Sequence, residues 1–421
     1  MLQRVIKAFA WVIIIVLVYL LFTFRYDISK RTGHGLKRRF EPPEFFWRSR
    51  ENRKGANFFN VKEQSKRIAA ARKFGLSWIR LTPSKWHSSV PGAVPGDFLI
   101  GHNGYKGLNK KDLAVLEKIL DEALTAKIKV VLTFLDFPGH RWTQHNNGKP
   151  DRRIWQSFEE QKKAIRFFTD IAAALRHHPA LVGINPVNEP CPELAGKRLK
   201  DWYADNYEKW AASVKGTPQD LNLFYKKLVK SIRKVAPELP IILDCGYFAT
   251  PWAFKVLEPV DDDNTYYAFH VYEPCSFTFQ RPKDGNYSYP GVSPFGQMEA
   301  ADTGVNWNKE TLENILLQPV TDWQRRYGIP SRKIIAAEFG VFRTAPGADK
   351  YLEDLIDIFN HYGWHWAFYS FREDSWDKMD YELGTGAVPQ KYWNDIENGR
   401  LFDYGRIQDK KLVKIIKNGL K

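Results

Sequence analysis

Short apolar runs alternate with amphipathic stretches along the chain from residue 54 onward. The runs are rich in Val, Ile, Leu and aromatic residues, and they are apolar at successive positions rather than at every second one. This pattern is typical of strands in a parallel sheet that is covered on both faces. Eight segments fit it: 54–60, 77–82, 128–135, 181–190, 240–246, 265–274, 333–340 and 364–371.

The stretches between most of these runs show helical periodicity. Between residues 112 and 126, for example, Leu113, Leu116, Leu120 and Ala123 recur at spacings of three and four residues, as on one face of a helix. Helices are predicted at 61–74, 112–126, 158–177, 220–235, 311–327 and 350–362. Eight strands with intervening helices predict a (β/α)8 TIM barrel. A doubly wound open sheet is the alternative, but no strand is followed by a glycine-rich phosphate-binding loop.

The N-terminal segment differs in composition from the rest. Residues 8–24 contain no charged residue and are bounded by Lys7 and Arg25, which is close to the ~20 apolar residues that a membrane-spanning helix needs. No small-residue cleavage site follows, as a signal peptide would require. We therefore predict a basic N-terminus at 1–7, a transmembrane anchor at 8–24, a juxtamembrane linker at 25–53 and the barrel at 54–421.

The net charge of +15 is unevenly distributed. The first 54 residues contain 12 Lys and Arg against 4 Asp and Glu, so about half of the excess lies around the apolar segment. This argues against a nucleic-acid partner, which would need a basic patch in the folded part. More positive residues follow the segment than precede it, and by the positive-inside rule this favours a cytoplasmic barrel.

Composition excludes several classes of protein. Hydrophobic residues make up 44% and charged residues 26% of the chain, which are globular values and exclude disorder throughout. The three cysteines, Cys191, Cys245 and Cys275, are too few and too irregularly spaced for a disulfide framework or a zinc site. Neither a cofactor nor a metal is expected.

Polar residues occupy the carboxyl ends of the predicted strands, where TIM-barrel enzymes place their active residues. Arg80 ends the second strand, Glu189 the fourth, His270 and Tyr272 the sixth, and Glu338 the seventh. Buried carboxylates are costly unless paired, so each glutamate alone is equally consistent with a structural salt bridge to Arg80. Two glutamates at matching depths, with an arginine and a histidine, favour a functional site.

Paired carboxyl groups suit cleavage of a glycosidic bond. One must be protonated to donate to the leaving oxygen, and the other must be ionised to attack the anomeric carbon. Arg80 near Glu338 is expected to keep that carboxylate ionised. His270 and Tyr272 are candidates for orienting the pair, and Asn188 is a candidate for binding a sugar 2-hydroxyl.

These residues lie in motifs that resemble glycoside hydrolase family 5, the cellulase-like family of clan A (β/α)8 barrels. The resemblance covers most of residues 54–372 and is carried by KGANFFN, GLSWIRLTPSKW, INPVNEP, FHVYEP and AAEFG, in that order. It implies a retaining double displacement with Glu189 as acid/base and Glu338 as nucleophile. It also implies that Arg80, Asn188, His270 and Tyr272 support them; the last two come from the His-x-Tyr segment.

Two segments depart from the family pattern. Members usually carry a histidine after the third strand, where this chain has TFLDFPGH, so either Asp136 or His140 substitutes or the subsite differs. Members also usually end the eighth strand with a tryptophan that stacks on sugar. Here Tyr369 occupies that position, with Trp366 and Trp376 nearby. All five are predicted to bind substrate.

The predicted function is that of a membrane-anchored retaining glycosidase acting on a β-linked polysaccharide, either a β-glucan or an exopolysaccharide. The alternatives are a catalytically silent barrel that binds polysaccharide for a synthesis or export complex, and a transglycosylase.

Because polysaccharide is unusual in the cytoplasm, the chemistry favours a cell inner-membrane anchor with a periplasmic barrel. That is opposite to the side favoured by the flanking charges. Partners would be the polysaccharide, the membrane and polysaccharide synthesis or export machinery.

Overall fold

Eight short parallel strands close into a barrel in the computed structural model of the chain. The structure describes residues 43–49, 51–61, 64–102, 104–199, 206–280, 287–295, 304–373, 376–398, 400 and 410–421. The strands are β1 Lys54–Phe58, β2 Trp78–Leu81, β3 Lys129–Thr133, β4 Leu181–Asn185, β5 Ile241–Asp244, β6 Thr265–Val271, β7 Ile334–Phe339 and β8 His365–Phe368. Each pairs with its neighbours in the chain, and β1 pairs with β8 to close the barrel. The predicted barrel and its eight strands are confirmed, although all eight strands end earlier than predicted.

Helices surround this barrel, and the six predicted ones are present. The α-helices are Pro43–Trp47, Gln64–Phe74, Lys110–Thr125, Phe158–Leu175, Tyr207–Val214, Leu221–Arg233, Cys275–Thr278, Lys309–Thr311, Gln318–Tyr327, Ala348–Tyr362, Gln390–Glu397 and Lys411–Gly419. Gly246–Ala249 forms a short turn with left-handed backbone angles. An antiparallel hairpin, Gly291–Pro294 with Gly304–Trp307, lies between β6 and β7.

The helix predicted at 311–327 is interrupted by the π-helical turn Leu312–Leu316. The regular helix restarts with Pro319 in its first turn, where a missing backbone N–H is tolerated.

Alternation along the strands divides the apolar residues into two layers. Residues that face outward pack against the helices. Those that face inward fill the lower barrel, the half towards the ends at which the strands begin, and they include Trp78, Val131, Ile242 and Tyr266. The interior is tightly packed around Trp78. A Cβ at Gly55 on β1 would lie only 2.6 Å from the Trp78 ring, so glycine is required at that position.

The helix Pro43–Trp47 lies within the predicted linker 25–53 but belongs to the barrel domain, which corrects the predicted boundary. Trp47 is fully buried, and its indole Nε1 donates to the Val182 carbonyl at 2.7 Å. Its ring meets Trp78 edge-on at 5.3 Å. These contacts close the end of the barrel at which the strands begin. Residues 42–421 form one compact unit.

The predicted anchor at 8–24 and most of the predicted linker lie outside the described residues. Within the described part of the chain, no helix has both the length and the apolar character needed to cross a bilayer.

Replacing Trp47 by alanine should destabilise the barrel because it removes a fully buried indole and its hydrogen bond to Val182. We expect a loss of about 3–5 kcal/mol in the free energy of unfolding, measured by urea denaturation. Phe45 on the same helix is 46% exposed, so Phe45→Ala is the matched control and should change stability by less than about 0.5 kcal/mol. Equal effects of the two substitutions would show that the helix does not close the barrel.

Candidate active site

The carboxyl ends of the strands converge on the guanidinium of Arg80, which is only 1% exposed. Nη1 donates to Glu338 Oε1 at 2.5 Å and to Asn57 Oδ1 at 3.1 Å. Nη2 donates to Asn185 Oδ1 at 2.6 Å and to Asn188 Oδ1 at 2.7 Å. A buried charge is tolerated only when it is paired and hydrogen-bonded. The fork of donors therefore fixes the positions of these side chains.

Glu338 is held at both carboxylate oxygens. Oε1 accepts from Arg80, and Oε2 accepts from the Tyr272 hydroxyl at 2.7 Å. Burial raises the pKa of Glu338, whereas the Arg80 charge and the Tyr272 hydrogen bond act to lower it. The glycine that ends the Glu-Phe-Gly segment is required because there is no space for a side chain at that position. A Cβ at Gly340 would lie 2.7 Å from the Tyr369 carbonyl oxygen.

Glu189 is placed by an unusual backbone conformation. Its φ is +50°, in the left-handed region that residues other than glycine rarely adopt, and its N–H donates to Asp244 Oδ2 at 3.1 Å. Its Oε1 lies 3.0 Å from His270 Nδ1. Burial and the nearby charges of Glu338 and Asp244 raise the pKa of Glu189 well above its usual value. We conclude that this carboxyl group holds its proton more firmly than an ordinary glutamate.

His270 and Asp244 complete the network behind the two glutamates. Burial lowers the pKa of His270 well below 6.5, with Arg80 contributing, so its imidazole is neutral. Its Nε2 lies 3.5 Å from Asp244 Oδ2. Asp244 was not among the predicted site residues, although it is a carboxylate at the end of the apolar run PIILDCG. A carboxylate at the end of an apolar strand was the feature that identified Glu189, and the same feature would have identified Asp244.

Donor atoms of Glu189, His270 and Glu338 all lie within 4.8 Å of one another, as the ligands of a metal ion would. Their chemistry does not suit a cation. Glu338 is already ion-paired with Arg80 at 2.5 Å, and the raised pKa of Glu189 favours its protonated form. The arrangement suits two carboxyl groups acting on one bond.

These groups line a cavity of about 640 Å³, a size typical of small-ligand sites. The predicted residues that line it are Asn188, Glu189, His270, Tyr272, Glu338, Tyr369 and Trp376. Loops after the strands supply residues that the sequence analysis did not predict. These include Phe59, Lys85, Trp142, Gln144, Tyr247, Phe248, Thr250, Glu273 and Glu373.

Trp366 does not line the cavity, which corrects its predicted role in substrate binding. It is fully buried, its Nε1 donates to Asn360 Oδ1 at 3.1 Å, and its ring packs against Phe339. Side chains alternate between the two faces of a strand. Trp366 and Tyr369 are three positions apart and therefore face opposite sides.

Asp136 and His140 are not among the residues that line this cavity, and their predicted contact with substrate stays a prediction. Asp136 accepts from the Trp142 N–H at 2.9 Å and lies 2.7 Å from His145 Nδ1. The His140 ring stacks on Phe137 with centroids 4.8 Å apart. Asp136 thus shapes the loop that carries Trp142 into the cavity.

A buried glutamate supports another part of the wall. Tyr247, Phe248 and Ala249 all have positive φ, at 45°, 60° and 60°. Glu193 accepts from the Tyr247 N–H at 3.0 Å and from the Tyr207 hydroxyl. Burial raises the pKa of Glu193 to about 7. The Glu193 carboxyl group therefore holds a strained segment in place.

The raised pKa of Glu193 predicts a pH-dependent stability. A carboxyl group whose pKa is higher in the folded state stabilises the fold most below its unfolded value of 4.5, and this contribution is lost as the pH rises to about 7. Relative to Glu193→Gln, the wild type should lose up to ~3 kcal/mol of unfolding free energy between pH 5 and 8, measured by urea denaturation at each pH. The exposed substitution Glu238→Gln is the control and should follow the wild type. A pH-independent difference between wild type and Glu193→Gln would contradict this assignment.

The closed barrel and the paired glutamates at its mouth define a glycoside hydrolase. Comparison with known families names which one. Residues 47–375 match the cellulase model of glycosyl hydrolase family 5. The chain belongs to this family and is an O-glycosyl hydrolase, so the predicted family is confirmed.

Individual relatives are distant. The chain is 22% identical to endoglucanase C of Acetivibrio thermocellus over 315 residues, covering 69% of this chain and 80% of the relative. Among solved structures, the endoglucanase Cel5A of Thermotoga maritima superposes with a TM-score of 0.57 at 16% identity, over 89% of this chain and 100% of the other. The cellulose synthase subunit Z of Clostridioides difficile gives 0.55 at 16% identity, over 87% and 99%. At these identities the structures show the shared fold.

Proposed function

We propose that the chain is a retaining β-glycosidase that cleaves a β-linked glucan, with Glu189 as acid/base and Glu338 as nucleophile. The distance between the two side chains supports this proposal most directly. A carboxyl oxygen of each lies within 4.8 Å of one of the other. Retaining enzymes place the two carboxyl groups ~5–5.5 Å apart, whereas inverting enzymes need ~6.5–9.5 Å to admit a water molecule.

In the first step, the Glu338 carboxylate attacks the anomeric carbon. The bond from that carbon to the glycosidic oxygen breaks, and the oxygen takes the proton of Glu189. Two donors, the Arg80 guanidinium and the Tyr272 hydroxyl, favour the ionised form of Glu338 against the effect of burial and orient its carboxylate. Burial and the charge of Glu338 keep Glu189 protonated until that charge is consumed.

In the second step, water attacks the same carbon of the glycosyl–enzyme intermediate. Glu189 is now ionised and accepts the proton of that water, and Glu338 leaves as a carboxylate. Loss of the Glu338 charge in the intermediate lowers the pKa of Glu189, which makes it an effective base at this stage. One residue thus serves as acid and then as base.

The cavity walls support an oligosaccharide substrate. Trp142, Tyr369 and Trp376 line the cavity, and flat aromatic rings present the apolar faces on which sugar rings pack. The names of the relatives, an endoglucanase and a cellodextrinase, favour a β-glucan. Asn188 lies beside Glu189 with its Oδ1 held by Arg80 at 2.7 Å, so its amide nitrogen is available to a sugar hydroxyl.

Substituting either glutamate should separate the two roles. Glu338→Gln should abolish turnover of every donor because no nucleophile remains. Glu189→Gln should lower kcat/KM for a cellooligosaccharide by ~10²–10⁴-fold and remove the alkaline limb of its pH profile. It should leave glycosylation by a dinitrophenyl glycoside nearly unchanged because that leaving group needs no proton. Release of reducing sugar and of dinitrophenol measures the two reactions.

Glu117→Gln, on the exposed face of the helix Lys110–Thr125, is the control and should match the wild type on both donors. The stereochemistry of the first product, followed by proton NMR, tests the mechanism independently. An α-configured product from a β-linked substrate would contradict retention.

We also propose that residues 8–24 anchor the chain in the inner membrane with the barrel in the periplasm. The uncharged segment between Lys7 and Arg25 supports the anchor. The likeness to a cellulose synthase subunit supports a partner in polysaccharide synthesis or export.

A reporter that is active only outside the cytoplasm, fused after Lys421, should give full activity in cells. The same fusion without residues 1–24 is the matched control and should give none because it lacks the export signal. A silent full-length fusion at normal protein levels would place the barrel in the cytoplasm, as the flanking charges favour.

A further inference from the structure

A third carboxyl group lies in the cavity wall, and the proposed mechanism does not use it. Glu273 follows β6, is 7% exposed and lines the same cavity as Glu189 and Glu338. Its Oε1 accepts from the Thr250 hydroxyl at 2.7 Å, and its Oε2 accepts from the Tyr272 N–H at 3.2 Å. Its side chain is therefore held in one orientation.

Glu273 retains capacity for a ligand. A carboxylate accepts about four hydrogen bonds, and Glu273 has three described donors: the Thr250 hydroxyl, the Tyr272 N–H and its own backbone N–H. Glu373, which also lines the cavity, is ion-paired with Lys85 at 2.8 Å. No Lys, Arg or His in the described part of the chain makes such a pair with Glu273, and burial raises its pKa. Its free acceptor positions suit hydroxyl groups entering from the cavity.

The position of Glu273 relative to the two catalytic glutamates identifies the part of the substrate that it meets. Glu338 attacks the anomeric carbon and Glu189 protonates the oxygen beyond it, so the direction from Glu338 to Glu189 leads towards the leaving sugar. The wall around Glu273 adjoins the loop of Glu189. Phe248 N donates to the Pro190 carbonyl at 3.3 Å.

Electrostatics gives the same placement. The charge of Glu273 is among those that raise the pKa of Glu189. Glu373 instead lies beside Tyr369. Burial is the largest cause of the raised pKa of Tyr369, and the charge of Glu373 is the next largest. The charge of Glu273 therefore acts on Glu189, and the contact between Phe248 and Pro190 joins the wall of Glu273 to the loop of Glu189.

We infer that Glu273 is a specificity-determining residue of the leaving-group subsite, where it accepts a hydrogen bond from a hydroxyl of the departing sugar. This assignment rests on the proposed two-step glycosidase mechanism. The same contact would position a sugar acceptor in the second step, so Glu273 would also govern transfer to sugars as opposed to water.

The test compares two donors that share the glycon but differ in leaving group: a cellooligosaccharide and the β-glycosyl fluoride of the same glycon. Glu273→Gln preserves size and removes the charge. It should lower kcat/KM for the oligosaccharide by ~10–100-fold, the usual effect of losing a hydrogen bond to a charged group. The fluoride should change by less than about twofold because fluoride makes no such contact.

Glu373→Gln is the matched control, a second acidic side chain of the cavity that is already paired with Lys85, and should affect both donors alike. Thr250→Val removes the hydroxyl that orients Glu273 and should give a smaller loss, again confined to the oligosaccharide. If Glu273→Gln loses activity equally on both donors, or loses none on either, the assignment of Glu273 is wrong while the proposed function still stands. A wild type inactive on both donors would overturn the proposed function and this assignment with it.

Discussion

One buried cation organises the mouth of the barrel. Arg80 contacts side chains from β1, from β4 and its loop, and from β7, and its Nη2 lies 3.5 Å from Asp244 on β5. A guanidinium in this position is costly unless its planar donors are matched. Closure of the barrel brings the acceptor oxygens of these strands to the same level along the barrel axis, around the guanidinium. Arg80 thereby fixes where Glu338 and Asn188 point.

The same cation explains why the two glutamates differ. Three carboxyl groups, those of the buried Asp244 and Glu338 and of the partly buried Glu189, lie around a single guanidinium. One positive charge cannot stabilise three negative ones at this depth, so a proton is retained in the cluster. Glu338 has the 2.5 Å contact with Arg80, whereas Glu189 faces a neutral histidine. These surroundings favour the protonated form of Glu189 over that of Glu338, in keeping with the proposed role of Glu189 as the acid.

Stability and chemistry occupy opposite ends of the barrel. The end where the strands begin is filled with apolar side chains and closed by Trp47. The other end contains the polar network, a strained Glu189 and a left-handed turn held by buried Glu193. Strained and charged groups are tolerated where the surrounding structure over-determines them. The tightly packed lower barrel supplies that rigidity.

The sequence by itself determined the eight strands, the family and the residues that surround Glu338. These rest on local signals: continuous apolar runs, and polar side chains placed where such runs end. It did not decide which neighbours face the cavity. Trp366 points into the helical layer, Asp136 supports a loop, and Glu273 joins the wall although only its motif neighbours were predicted. The cavity wall is built by loops that are distant in the chain, and only the closed barrel determines which of them meet.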